Sequence, residues 1–413
     1  MRGMSLNQTP QGERTHIAIF GRRNAGKSSL INALTGQEVA IVSEVKGTTT
    51  DPVRKTMELL PLGPVMIIDT AGLDDEGALG ALRLQRTRDV LNQTDIALLV
   101  TEAEFGLGGC ERELVQQVRA KNIPLVVVFN KADRAAPAAA MLQEAAKQAQ
   151  ASVHVVSSTT KEGIGALKLA LARMAPEDDS RHRLVADLLQ PNEIVVLVTP
   201  IDSAAPKGRL ILPQQQVVRD ILDAGAMAVV TQETGLPAAL ASLGKKPRLV
   251  ITDSQAFAPV AAAVPADVPL TSFSILFARY KGDLAELVRG AQVVGKLRDG
   301  DRILIAEGCT HHRQEDDIGT VKIPRWLKKH TGKNLVLEHS SGMKYPRDLK
   351  EYALVVHCGA CMLNRREMHW RICEARNAGV PIVNYGVLIA YLHGILPRCL
   401  VPFPGAAEVL EHA

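Results

Sequence analysis

"THIAIFGRRNAGKSSLINALTG", residues 15–36, decides the first fold in this chain. It reads as a short apolar strand, a glycine turn and then a helix. Within it, Gly21 to Ser28 fits G-x-x-x-x-G-K-S in the strand, loop and helix context that gives the motif its meaning. Gly21 and Gly26 let the backbone N–H groups of a loop that includes Asn24 and Ala25 wrap phosphates. Lys27 supplies a cation to the β and γ phosphates, and the hydroxyl of Ser28, followed by Ser29, ligates Mg²⁺.

Three further stretches follow in the order a GTPase needs. "VMIIDTAG" ends an apolar strand on Asp69 and Gly72, placing a carboxylate near the Mg²⁺ shell and a flexible amide near the γ-phosphate. "LVVVFNKAD" ends another strand on Asn130, Lys131 and Asp133. An aspartate accepting from the guanine N1 and N2 donors is mismatched with adenine, so this segment selects GTP over ATP. "VHVVSSTTKEGIGAL" ends a third strand on Ser157, Ser158 and Thr159, whose backbone donors can reach the guanine carbonyl.

Between the phosphate loop and Asp69, "VKGTTTDPV" resembles the first switch of the TrmE-Era branch of GTPases. By that resemblance Thr49 is the Mg²⁺-sensing hydroxyl, with Thr48 as the alternative register. Asn24 stands where K⁺-stimulated members of the branch place an asparagine beside the phosphates. Leu73, not a glutamine, follows the DTAG, so no side chain orients the attacking water and hydrolysis is expected to be slow and helped by a cation or a partner. This is the pattern of a switch or timer.

The bulk composition fits an α/β chain of two or three domains. The sequence has 413 residues, 46% of them hydrophobic and only 3% aromatic, so its cores are built from small aliphatic side chains, as in parallel sheets. Its 48 Lys and Arg against 44 Asp and Glu leave a net charge of +4, too small to demand a nucleic-acid partner. No apolar run reaches the roughly 18 residues of a membrane span, and no signal-like segment opens the chain, so a soluble cytoplasmic protein with no membrane partner is expected. Of six cysteines, Cys110 stands alone and five fall after residue 300, which in a reducing compartment suggests metal or redox chemistry.

After the polar "APEDDSRHR" the apolar pattern restarts. "EIVVLVTP", "AMAVVTQ", "RLVITDS" and "LTSFSILF" read as buried strands, with "QQQVVRDILDAG" and "LPAALASLG" as helices between them. This middle region has no phosphate loop, thiol or histidine. Asp202, Lys207 and Arg209 fit a solvated loop better than a site, and the region reads as an assembly module that self-associates.

In the last third, "DRILIAEGCTHHRQED" carries a strand into Cys309, His311 and His312, and "EYALVVHCGACMLNRRE" carries another into His357, Cys358 and Cys361. Strand ends are where α/β sheets place ligands. Three thiols and a histidine suit a closed zinc site, and three thiols alone suit an iron-sulfur cluster with one iron left for an exchangeable ligand. The residue chemistry leaves both open, beside the plainer reading of buried structural cysteines with no metal.

C-x-H, a long gap and then H-C-x-x-C, behind a TrmE-Era-like GTPase and a thiol-free middle domain, resembles the HydF family, the maturation GTPases of [FeFe]-hydrogenase. "PIVNYGVLIAYLHGIL" adds to the likeness, which covers the whole chain. The resemblance implies that Cys309, Cys358 and Cys361 hold a [4Fe-4S] cluster. His311 and His357 are then either a labile fourth ligand or groups around it. It also implies a scaffold that receives a diiron precursor bearing CO and cyanide, works with radical-SAM maturases, and delivers to the hydrogenase apoprotein. Gly359 and Ala360 would let N–H groups turn toward the cluster, a helix opening at Met362 would present its positive end, and Arg365 or Arg366 would face the precursor. Cys373 and Cys399 read as packing residues.

The expected architecture is α/β: a P-loop GTPase domain over 1–176, a dimerisation domain over 177–268 and an iron-sulfur domain over 269–413, the latter two with mainly parallel sheets. A homodimer or higher oligomer is expected, with GTP, Mg²⁺, the cluster and K⁺ as cofactors. Two rivals share parts of the pattern: an RNA-associated GTPase of the TrmE-Era type, and a zinc-stabilised regulatory GTPase. The first expects a KH or OB pattern downstream, and no basic-flanked G-x-x-G is found.

Overall fold

The computed structural model describes residues 9–36, 52–70, 72, 78–175, 183–200, 210–308, 317–342 and 344–411. The chain forms two compact units, Met1–Glu177 and Asp178–Ala413.

In the first unit the strands are β1 (Thr15–Gly21), β2 (Val53–Leu59), β3 (Gly63–Asp69), β4 (Ile96–Glu102), β5 (Leu125–Asn130) and β6 (Ser152–Val155). They form one sheet in the order β2-β3-β1-β4-β5-β6, with β2 antiparallel to β3 and every other pair parallel. Side chains alternate between two buried faces. Ile17 and Ile19 of β1 join one apolar cluster while Ala18 and Phe20 join the other, and β4 and β5 split in the same way. That two-sided burial is why these strands read as unbroken apolar runs.

The second unit holds two four-stranded sheets, all parallel. β7 (Ile194–Val198), β8 (Met227–Thr231), β9 (Leu249–Thr252) and β10 (Leu270–Ser272) lie in the order β10-β9-β7-β8. β11 (Arg302–Glu307), β12 (Val336–Ser341), β13 (Leu354–His357) and β14 (Ile382–Asn384) lie in the order β12-β11-β13-β14. One continuous apolar cluster joins them, running from Val195 and Ile251 through Phe273 and Leu276 to Ile305 and Val356. The fold is therefore a P-loop nucleotide domain followed by further α/β structure with parallel sheets, as the sequence predicts.

Two local readings are corrected. "LTSFSILF" is a strand only for Leu270–Ser272; the Ser272 hydroxyl then accepts the Ile275 N–H and caps a helix, Phe273–Lys281. Because β10 pairs with β9, the middle sheet extends past residue 268. The helix after the cysteines opens at Arg365, not Met362. Asn364 caps it by accepting the Glu367 N–H, and the loop before it turns through Ala360 at φ 55.

Among the described residues, no helix is long and apolar enough to cross a membrane.

Candidate functional site

The nucleotide site sits at the C-terminal edge of the first sheet. β1 ends on Gly21, where a Cβ would fall 2.2 Å from the Val100 carbonyl oxygen. The loop passes through Asn24 at φ 64 and Gly26 at φ 85 before entering the helix Lys27–Thr35. A Cβ on Gly26 would also fall 2.4 Å from Asn130 Nδ2, so glycine is required there twice over. Lys27 Nζ donates to the carbonyls of Gly21 at 3.0 Å and Arg22 at 2.8 Å, which holds the loop in a cradle. Ser29 stands exposed on the helix behind it.

Ser28 Oγ donates to Asp69 Oδ2 at 3.2 Å, so the end of β3 and the start of the helix bring together the two residues expected at Mg²⁺. Asp69 Oδ1 is buried with no hydrogen-bond partner. Burial raises the Asp69 pKa, only partly offset by Lys27, Ser28 and Lys55. An orphaned carboxylate oxygen beside a hydroxyl fits a divalent cation in this pocket. Gly72 is half-buried just beyond. Thr49, its alternative Thr48, and Leu73 lie outside the described residues.

Asn130 ties the strand ends expected to read the base to the glycine loop after β1. Its Nδ2 donates to the carbonyls of Ala25 at 3.1 Å and Gly26 at 3.4 Å, while its Oδ1 accepts from the Ser158 N–H at 3.1 Å and hydroxyl at 2.9 Å. Ser157 Oγ donates to Asp133 Oδ1 at 2.6 Å, and that bond is the first cause of an Asp133 pKa below the ordinary carboxylate value. Lys131, in the left-handed region, pairs with Glu102 at 3.0 Å. Thr159 is exposed. The sequence reading missed one partner: Glu111, fully buried, binds Arg22 of the phosphate loop through both oxygens, at 2.6 and 3.1 Å, and accepts the Gly108 N–H at 3.0 Å.

The thiol site is built by register. β11 and β13 pair so that Ala306 faces His357, and the Cys358 N–H continues the ladder to the Ala306 carbonyl at 2.9 Å. Cys358 Sγ then accepts N–H groups from Gly308 at 3.1 Å and Ala360 at 3.4 Å. The ends of the two strands are thus joined at a sulfur. Burial pushes the Cys358 thiol up to about 11 and raises Cys361 too. At Cys361 the Lys281 charge and the backbone N–H groups of Cys361 and Met362 offset part of the rise. Cys309, His311 and His312 lie outside the described residues, as do Asp202, Lys207 and Arg209 of the middle region. Among the described residues, no three His, Cys, Asp or Glu side chains cluster as a metal site.

His357 is fully buried with both ring nitrogens engaged. Nε2 lies 3.1 Å from Arg371 Nη1, and because arginine only donates, Nε2 must accept. Nδ1 therefore carries the proton and donates to the Cys358 carbonyl at 2.8 Å. Burial and the neighbouring Arg371 lower its pKa to about 3, so the ring is neutral. Arg371, also buried, donates to Glu367 at 2.9 Å and to the Gly342 carbonyl at 2.7 Å, with the Tyr345 ring beneath it. Lys281, 1% exposed, donates to the carbonyls of Ala360, Cys361 and Leu363 at 3.3, 3.4 and 2.7 Å.

Arg365 is exposed and Arg366 partly so. Cys399 is buried and its thiol is pushed up to about 12, Cys373 is partly buried beside Arg376, and Cys110 is exposed.

Comparison with known families adds three matches. Residues 184–282 match a Hydrogen maturase F dimerization domain and residues 285–402 a Hydrogen maturase F tetramerization domain, together more than half of the chain. The chain belongs to the HydF family. Residues 16–131 match a 50S ribosome-binding GTPase model, which places a GTPase domain ahead of the two HydF domains.

The tRNA modification GTPase MnmE of Chromobacterium violaceum is 36% identical over 163 residues, 39% of this chain and 35% of that protein. GTPase Der of Kosmotoga olearia is 34% identical over 138 residues, 32% of this chain and 31% of that protein. The chain thus spans about a third of the length of the curated relatives it matches. Among solved structures, Aquifex aeolicus Era bound to GDP.AlF4- aligns over 55% of this chain and 98% of that one, at 20% identity and a TM-score of 0.36. This HydF-family chain therefore carries a GTPase domain followed by a dimerization and a tetramerization domain of that family.

Proposed function

We propose that this chain is a GTP-dependent scaffold for the metal centre of [FeFe]-hydrogenase. It binds a diiron precursor bearing CO and cyanide as its cargo and passes it to the hydrogenase apoprotein, in concert with radical-SAM maturases. The observation that carries the reading is the thiol loop. Cys358 and Cys361 stand at the end of a parallel strand, backbone N–H groups face their sulfurs, and a buried lysine lies behind them.

That donor set fits an anionic, thiolate-held [4Fe-4S] cluster, with Cys309, Cys358 and Cys361 as its ligands. When bound, the cluster supplies an iron with an exchangeable fourth position. His357 is left out of the ligand set, since both its nitrogens are spent on Arg371 and the Cys358 carbonyl. His311 stays in it as the exchangeable fourth ligand. Arg365, the exposed member of the Arg365 and Arg366 pair, faces the cargo.

In the first unit Lys27, Ser28, Asp69, Thr49 and Gly72 handle the phosphates and Mg²⁺, Asn24 holds K⁺, and Asn130, Lys131, Asp133 and the Ser157–Thr159 segment read guanine. Nucleotide state sets which partner docks and does not power the metal chemistry. The chain works as a homodimer or a higher oligomer. The edge strand β8 supports this, with Met227 and Val230 exposed along an unpaired rim among the described strands.

The deciding test is an EPR spectrum of the anaerobically reconstituted, reduced protein with iron and zinc counted on the same sample. A [4Fe-4S] signal that disappears in Cys358→Ser supports the scaffold. Stoichiometric zinc without that signal overturns it in favour of a zinc-stabilised regulatory GTPase.

A further inference from the structure

The helix Phe273–Lys281 begins on the last residue of β10, in the middle sheet, and ends on Lys281 at the thiol loop of the other sheet. A lysine at the last turn of a helix ordinarily extends into water. This one is 1% exposed, with the Phe277 ring 5.6 Å from Nζ and the carbonyls of Ala360, Cys361 and Leu363 around it. Burying an ammonium is costly unless its hydrogen bonds are made well, so its place under this loop calls for an account.

Peptide geometry supplies one. In a trans peptide the C=O and N–H point in opposite directions. The carbonyls of Ala360 and Cys361 are turned toward Lys281, so the N–H groups of Cys361 and Met362 are turned away from it. Those are the two N–H groups that bear on the Cys361 sulfur. Ala360 completes the arrangement. At φ 55 it adopts a left-handed conformation that is unfavourable for a non-glycine residue, and its own N–H reaches Cys358 Sγ. Successive N–H groups converging through a left-handed residue form a concavity for an anion. The lysine sets its orientation from behind.

We propose that Lys281 is a positioning residue for the metal centre, resting on the reading of this loop as the cluster site. It holds the loop peptides so that the N–H groups of Cys361 and Met362 face the Cys361 sulfur, and it places a positive charge behind an anionic cluster. N–H···S bonds and a nearby cation both favour the more negative, reduced state, so the lysine raises the reduction potential. It also ties the cluster loop, by hydrogen bonds from the end of one helix, to an edge of the middle sheet.

The test uses the full chain. Lys281→Met removes donor and charge at similar length, and Lys281→Gln keeps a donor without the charge. In the reconstituted protein, Lys281→Met is expected to lower the reduced-to-oxidised ratio at a fixed potential about tenfold, a midpoint about 59 mV more negative. In the metal-free protein, amide exchange at residues 360–363 is expected to speed up at least tenfold while β11 and β13 keep their protection. An unchanged potential together with unchanged exchange overturns the proposal.

If Lys281→Met fails to fold, Lys281→Gln decides on the same two readings. If the wild-type protein holds no iron, the cluster reading falls, and the metal-free exchange result still decides whether Lys281 holds the loop.

Discussion

Arg371 donates to Nε2 of His357 at 3.1 Å, and that single contact fixes the histidine as a neutral donor to its neighbour's carbonyl. A ring with both nitrogens committed inside the protein has no lone pair for iron. His357→Gln should therefore keep the reduced cluster's EPR signal. In His357→Leu, which offers no acceptor, the unfolding free energy should also fall by about 1–3 kcal/mol, because Arg371 loses a buried acceptor. Loss of the signal in a folded variant would make His357 a ligand.

The same guanidinium organises a wider network. Arg371 and Glu367 are 1% and 3% exposed, and Glu367 Oε2 is buried without a partner. Removing one member of such a pair strands the other. Arg371→Met is expected to cost about 3–5 kcal/mol, and the added change Glu367→Leu to recover much of it. Urea unfolding of the single and double variants measures the coupling.

These residues mark where the sequence stops being legible. The phosphate loop, Asp69, Asn130 and the thiol pair could be found because each is a short motif at the end of an apolar strand. Lys281 could not, since it lies far upstream of the loop it supports and looks like a solvated helix end. Arg371 is hidden in the same way inside the charged run "RREMHWRICEAR". Other misses were readable. Asn364 followed three residues later by Glu367 is a capping signal that places the helix start at Arg365 rather than Met362. Ser272 is a cap of the same kind, overlooked because apolar Phe273, Ile275 and Leu276 continue the strand's composition into the helix.

Asn130 bridges two loops with four hydrogen bonds. Asn130→Ala frees the Ala25 and Gly26 carbonyls and releases Ser158 together, so nucleotide affinity should fall by one to two orders of magnitude, about 1.4 kcal/mol for each. Titration with a fluorescent GDP analogue reads this directly. An unchanged affinity would mean that the phosphate loop holds its shape without the bridge.

The K⁺ assignment to Asn24 rests on the resemblance to K⁺-stimulated TrmE-Era GTPases, which place an asparagine at this point of the loop. Hydrolysis in K⁺ should exceed that in Na⁺ at equal ionic strength, and Asn24→Ala should abolish the difference while leaving GDP binding intact. A K⁺ dependence that survives the substitution would move the cation elsewhere.

Asp133 offers the sharpest check on nucleotide identity. Ser157 Oγ holds its Oδ1 at 2.6 Å and helps keep the carboxylate ionised, an acceptor pair suited to the N1–H and N2 amino group of guanine. Xanthine replaces that amino group by a carbonyl, which a carboxylate repels and an amide N–H satisfies. Asp133→Asn should weaken GTP binding about 10- to 100-fold, as expected for losing hydrogen bonds to a charged group worth about 1.5–3 kcal/mol. The same variant should gain affinity for XTP, which removes general misfolding as the explanation. Equal loss for both nucleotides would show that Asp133 supports the loop through Ser157 and does not touch the base.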